Sequence, residues 1–311
     1  MKQKANFKCL KPIMGNGKSY KVLVSGAGGF VGSAVCSEFI ADSADVTAIG
    51  RTPPKDGRVG FIKWDSSNSN PPPLGGYDVI VHLAAESVFG FWTKSKREKI
   101  LKSRVDSTKK LAEAAANSKI PPRVFICASA VGYYGNRACG DESLPKGSGF
   151  LSDVCAAWEA STKCAESAGV RTVNLRFGIV INSSGGMAGK LAPYYRKGFG
   201  VIFGNGENMV SWISLADAAR AALFCAQNSN ISGPVNTTST NSCTAEKFAC
   251  SLAQSLGSKV RLRIPAFLVR LFGGEVAESL ILSDQNIFPS KLLKNGFKFK
   301  YPEISEALAA K

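Results

Sequence analysis

A single histidine, His82, stands among the 311 residues. That scarcity excludes a metal centre built on several imidazoles, and it leaves little scope for a Ser-His-Asp triad. None of the nine cysteines forms a C-x-x-C pair. The pattern therefore suggests neither a disulfide framework nor a zinc site, and it points to a reducing compartment. No uninterrupted apolar run approaches the ~20 residues that a membrane-crossing helix needs. Acid is also in short supply: 23 Asp and Glu face 39 Lys and Arg, for a formal net charge of +16.

The excess base is concentrated. Residues 1–21 hold six lysines and no acid, and Lys94 to Lys110 hold eight basic and two acidic residues. The second stretch has a helical pattern, with Leu101, Val105, Thr108, Ala112 and Ala115 turned inward and much of the charge turned to water. No nucleic-acid-binding motif accompanies it, so nucleic acid is not an expected partner. A positive field also suits an anionic cofactor or substrate. Residues 1–20 lack the apolar core of a secretory signal and contain no arginine and one serine. They read as a flexible basic extension. The expected location is cytoplasmic, with plastid or mitochondrion the alternative if the extension is a transit segment. Gly17-Lys18-Ser19 imitates the end of a P-loop, but Pro12 stands where the earlier glycine belongs, and a strand follows instead of preceding it.

The most informative stretch is Lys21 to Gly32. An apolar run, Lys21–Ser25, meets Gly26, Gly29 and Gly32, and a helical pattern follows through Phe30 and Val31 to Ala41. The first glycine permits a tight turn, the second a close approach of backbone to a pyrophosphate, and the third a close packing of helix on sheet. The helix N-terminus offers unpaired N–H groups to phosphate. Further strand-like runs are Asp45–Gly50, Gly60–Trp64, Asp78–Leu83, Arg123–Ser129 and Arg171–Phe177, alternating with helical runs at Lys94–Asn117 and Ser152–Ala168. This alternation predicts an α/β fold, a doubly wound parallel sheet of the Rossmann type. Residues 21–180 form the nucleotide-binding domain on this reading. Residues 181–311 are mostly a smaller C-terminal α+β substrate domain, with segments near 214–240 able to rejoin the sheet.

The second strand ends in Gly50-Arg51-Thr52 with no acid. An acid there would bond the ribose 2′-hydroxyl of NAD, whereas Arg51 with Thr52 suits the 2′-phosphate of NADP(H). Asp65 either contacts the adenine or caps a turn before Ser66 and Ser67. Leu83 and Ala84, at the end of the fourth strand, are small enough for a cofactor to lie close, or they simply pack there.

These residues resemble the extended, sugar-nucleotide-epimerase-like branch of the short-chain dehydrogenases/reductases. The chain is similar to the atypical group labelled "epimerase family protein". The match rests on Ser25–Gly32, His82-Leu83-Ala84-Ala85-Glu86, Ser103-Arg104, Ala128 to Gly135, Trp158-Glu159, Leu175 to Val180 with Gly185-Gly186, Ser211-Trp212-Ile213 and a C-terminal run from Phe288 to Phe299. The resemblance implies NADP(H) binding through the glycine loop, Arg51, Leu83, Ala84, Arg104 and Val180. It implies an oxidoreductase or epimerase-like enzyme acting on a small polar substrate, which the sequence does not identify. The alternative is a low-turnover NADP(H)-sensing or scaffold protein, linked to cell or plastid division. Nothing in the sequence specifies a homo-oligomer.

The superfamily's usual proton-transfer pair, Tyr-x-x-x-Lys on a helix, is missing. The corresponding segment, Phe150 to Glu159, contains neither residue. The serine at the end of the fifth strand is kept as Ser129. Tyr133 and Tyr134, just beyond it, are the candidate proton donors, against a plain role in aromatic packing. His82 is assigned a mainly structural hydrogen bond.

Overall fold

The computed structural model describes residues 19–182 and 185–310. Most of the basic extension lies outside the described residues. Seven parallel strands form one sheet: β1 (Lys21–Ser25), β2 (Asp45–Gly50), β3 (Gly60–Lys63), β4 (Val79–His82), β5 (Val124–Ala130), β6 (Arg171–Phe177) and β7 (Gly233–Thr237). Their spatial order is β7-β6-β5-β4-β1-β2-β3. The order in which strands are added reverses at β1, which pairs in parallel with β2 on one side and β4 on the other. At that switch point, loops from the carboxyl ends of neighbouring strands diverge and leave a crevice.

Side chains alternate across the strands and build two cores. Val22 and Val24 of β1 face the helices α1 (Phe30–Ala41) and α6 (Leu215–Gln227), joining Val35, Phe39 and Ala222. Leu23, between them, faces the opposite layer and packs with Ile80, Leu111, Phe125 and Trp158. That layer is made by α2 (Lys94–Ala116), α3 (Phe150–Ala160) and α4 (Lys163–Ser167). Burying both faces explains why the strand sequences read as nearly continuous apolar runs.

The helix expected over Ser152–Ala168 is two helices, α3 and α4. At the break, Ser161 Oγ donates to the Ala157 carbonyl and Thr162 Oγ1 to the Glu159 carbonyl. Such back-bonding competes with the helical ladder and favours a bend. A further apolar core, around Ile181, Tyr195, Trp212, Phe248 and Leu308, joins α5 (Gly186–Arg196) to α7 (Ala245–Ser255). The later helical segment α8 (Ala266–Leu280) is kinked at Gly274, where φ is +54°, and its last residues, Ser279 and Leu280, line the cavity described below.

Candidate functional site

The glycine loop is built by exclusion. Gly26 has φ +75°, and a Cβ there would lie 2.8 Å from the Ala84 nitrogen. Only glycine lets the β1 loop press against the β4 loop in this way. A Cβ on Gly32 would stand 2.0 Å from the Gly26 carbonyl oxygen, so the first turn of α1 can tuck under the loop only without a side chain. Gly29, the N-cap of α1, caps no N–H with a side chain, leaving the first-turn donors available. Gly28 faces open space. The resulting concavity has the positive dipole character of a helix N-terminus, which suits a phosphate group.

Beside it lies a cavity of about 420 Å³, to which Val31, Leu83, Arg104, Ser129 and Val180 all contribute. The parallel topology brings these distant positions together, because every contributing strand ends at the same edge. Phe30 borders the same region, since a Cβ on Gly185 would strike its ring at 2.2 Å. Arg51 and Thr52 are exposed at the end of β2. Arg51 makes no ion pair among the described residues. Asp65 holds a turn: its Oδ1 accepts from the Ser67 N–H at 3.0 Å and the Ser67 hydroxyl at 2.7 Å. Those bonds hold its carboxyl below the usual range, with Arg51 nearby adding to the effect. Arg104 is buried, donates Nη1 to the Glu86 and Ile100 carbonyls, and lies over the Trp158 ring. Burial lowers its pKa.

The two tyrosines do not line this cavity. Tyr134 is buried; its hydroxyl donates to Asn236 Oδ1 at 2.6 Å and accepts from Arg176 Nη1 at 2.8 Å. Burial raises its pKa, which makes it a poorer proton donor near neutrality. The Tyr133 ring stacks under the Arg176 guanidinium, 3.5 Å away. Arg176, on β6, also grips Glu159, on α3, through two bonds of 2.7 and 2.8 Å. Burial opposes its charge, but the paired carboxylate outweighs burial and raises its pKa. Ser129 donates its hydroxyl to the same carboxylate at 2.7 Å.

Ser129, Glu159, Arg176, Tyr134 and Asn236 thus form one continuous polar chain running from the cavity wall into the core. Sequence reasoning had not singled out Glu159, Arg176 or Asn236 as site residues. Arg176 carried a signal, since a cation inside the apolar run of a central strand needs a buried acid as partner. Cys155 was missed as well. It lines the cavity one helical turn before Glu159, and burial pushes its thiol up to about 11, so it is inert as a nucleophile.

His82 lies wholly inside. Its Nδ1 meets the Ser25 hydroxyl, and its Nε2 lies 3.0 Å from the Ser107 hydroxyl. Ser25 Oγ already accepts from the Leu83 and Ala84 N–H groups, and Ser107 donates to the Ser103 carbonyl. The ring therefore accepts at Nδ1 and donates at Nε2. It stitches β1, β4 and α2 together beneath the crevice.

Comparison with known proteins places this arrangement. Residues 22–236 match the NAD dependent epimerase/dehydratase family, and residues 264–310 match a domain of unknown function, DUF1731. The chain belongs to the NAD dependent epimerase/dehydratase family. It is 33% identical over 290 residues to epimerase family protein Mb2239 of Mycobacterium bovis, covering 92% of this chain and 96% of that one. Epimerase family protein YfhF of Bacillus subtilis is 30% identical, with 93% and 96% covered. The crystal structure of human epimerase family protein SDR39U1 with NADPH superimposes with a TM-score of 0.83 at 29% identity, covering 93% of this chain and 98% of that one. UDP-glucuronic acid 4-epimerase from Bacillus cereus, in complex with NAD, shares the fold at a TM-score of 0.75 and 20% identity, with 94% and 97% covered. The doubly wound sheet of this epimerase-family chain is therefore the fold expected from its glycine loop.

Proposed function

We propose that the protein binds NADP(H) at the glycine loop and acts as an oxidoreductase or epimerase-like enzyme on a small molecule in the adjoining cavity. The residues fit such a cofactor. Gly26, Gly29 and Gly32 leave a cradle that any Cβ would fill, and the first turn of α1 would present its donors to the pyrophosphate. Arg51 and Thr52 would meet the 2′-phosphate. Leu83, Ala84, Val31, Phe30 and Val180 would pack along the dinucleotide, Asp65 would border the adenine end, and Arg104 would contact phosphate or ribose. Bound there, the nicotinamide supplies or accepts a hydride.

The proton side of the chemistry falls to Ser129. Its hydroxyl proton points at Glu159, and its oxygen, beside the Cys155 thiol, would accept the proton of a substrate hydroxyl as its own passes to the carboxylate. In the reverse direction, both transfers run backwards. Arg176 fixes the carboxylate on two sides and so holds Ser129 in register. The 2.7 Å contact between Ser129 and Glu159 at the cavity wall carries this reading. It moves the proton step away from Tyr133 and Tyr134, whose surroundings commit them to the buried network. One substitution tests the cofactor assignment. Arg51→Asp should weaken NADPH binding at least ~30-fold, on the order of 2 kcal/mol for a lost charge-assisted contact, while leaving NADH nearly unchanged; equal loss of both would sink the cofactor assignment.

A second reading keeps the cofactor but not the turnover, as in a sensing or scaffold protein. It is favoured by the lack of any tyrosine, lysine or carboxylate among the described residues that line the cavity. NADPH oxidation that is indifferent to both Ser129→Ala and Glu159→Gln would select it.

A further inference from the structure

The cavity wall around Ser129 is mostly apolar. Leu151, Val154, Met187, Met209, Val210 and Leu280 all line it. The polar side chains in the lining are few, and several are already committed. Ser211 Oγ donates to the Gln285 carbonyl at 2.8 Å and accepts from the Ile287 N–H at 2.9 Å. The Gln285 side-chain amide donates to the Val131 and Gly135 carbonyls. Arg104 is the single charged side chain in the lining among the described residues. Among the described residues, Ser129, Ser279 and Ser283 are the hydroxyl side chains in the lining that then remain to meet a ligand.

This composition selects against a polar ligand. A sugar ring brings several hydroxyls, and each one moved from water to a wall with no partner loses hydrogen bonds without replacement. A diphosphate brings two negative charges that require cations or a helix N-terminus. Arg104 can serve at most one anionic group, and the cofactor reading already uses it. The nearby cations are engaged elsewhere: Lys190 sits over the Phe89 ring, and Arg97 is paired with Glu275. An apolar ligand body, by contrast, gains from every wall it touches.

From this lining we infer that the substrate is an uncharged, mainly apolar ketone or aldehyde, or the corresponding alcohol, with its oxygen at Ser129, and not a nucleoside-diphosphate sugar. The inference rests on reading the cavity as the substrate site of the proposed enzyme. It departs from the polar substrate expected from sequence, because the residues supplying the wall come from segments far apart in the chain.

Calorimetric titration of the full chain, with and without NADPH, tests it. The ligands are methyl ketones from 2-butanone to 2-decanone, with UDP-glucose as the rival. Affinity should rise about fourfold per added methylene, corresponding to ~0.8 kcal/mol each, until the cavity is filled. UDP-glucose should give no binding heat. Leu280→Lys should weaken ketone binding at least about tenfold while NADPH affinity stays unchanged, which shows the fold is intact; Met209→Gln serves as a second, milder variant. A flat affinity along the ketone series, or tighter binding of UDP-glucose, would overturn the inference. Loss of NADPH binding with the ketone trend intact would instead remove the cofactor reading and leave this one standing.

Discussion

The ion pair between Arg176 and Glu159 gives the sharpest test of how this site is held. Their side chains are 4% and 13% exposed, so neither charge can be rehydrated without opening the structure. Removing one partner of a buried pair strands the other, at a cost of about 3–5 kcal/mol. Arg176→Met belongs at the low end, about 3 kcal/mol, because Glu159 keeps its bond from Ser129. An unfolding entropy of ~2.1 cal/mol/K per residue gives this chain ~0.65 kcal/mol/K, so the expected fall in Tm is about 5 °C. Glu159→Gln alone strands the guanidinium and should cost a similar amount. The double variant contains neither charge, so its loss should stay near that of one single variant, about 3 kcal/mol, instead of doubling to about 6 kcal/mol. Denaturant unfolding followed by circular dichroism reads all three values. Losses that add to within ~0.5 kcal/mol would refute the coupling, and with it the claim that Arg176 positions the carboxylate beneath Ser129.

Other outcomes follow from single contacts. Gly32→Ala should abolish NADPH binding measured by fluorescence, because its Cβ would meet the Gly26 carbonyl at 2.0 Å and force the loop open. Tyr134→Phe should lower stability by about 1–2 kcal/mol, since it leaves Asn236 and one Arg176 N–H short of a partner, while reducing turnover far less than Ser129→Ala does. Burial pushes His82 down to about 3. The folded state refuses the proton that the unfolded chain accepts near 6.5, so the stability from neutral His82 is whole above that pH. It is lost at up to about 1.4 kcal/mol per pH unit as pH falls towards 3. Unfolding midpoints measured from pH 7 to pH 4 should fall less steeply in His82→Asn than in the parent; parallel slopes would contradict the assignment.

Much of the fold was legible because it is written in local pattern. The six strand-like runs read from β1 to β6 needed only apolar runs bounded by turns, and the glycine loop declared itself through spacing. The split of α3 from α4 was missed because Ser161 and Thr162 look tolerable in a helix until their hydroxyls choose backbone carbonyls. Tyr133 and Tyr134 followed Ser129 closely in sequence, and closeness suggested a shared site. The turn Val131–Tyr134 instead sends Tyr134 towards Asn236 and Arg176, away from the cavity.

The chain by itself determined the crevice. A strand, three glycines and a helix start are contiguous, and their mutual geometry follows from backbone sterics over a dozen residues. Arg51 could be proposed as a cofactor contact because it directly follows a recognisable strand. What lies beside the crevice was decided only by tertiary structure. Ser129, Glu159, Arg176 and Asn236 come from three strands and a helix, and neither their contact nor the apolar wall facing them has any signature at short range. The order of parallel strands and the packing of α3 on the sheet bring them together, and those arise from the collapse of the whole chain around its two cores.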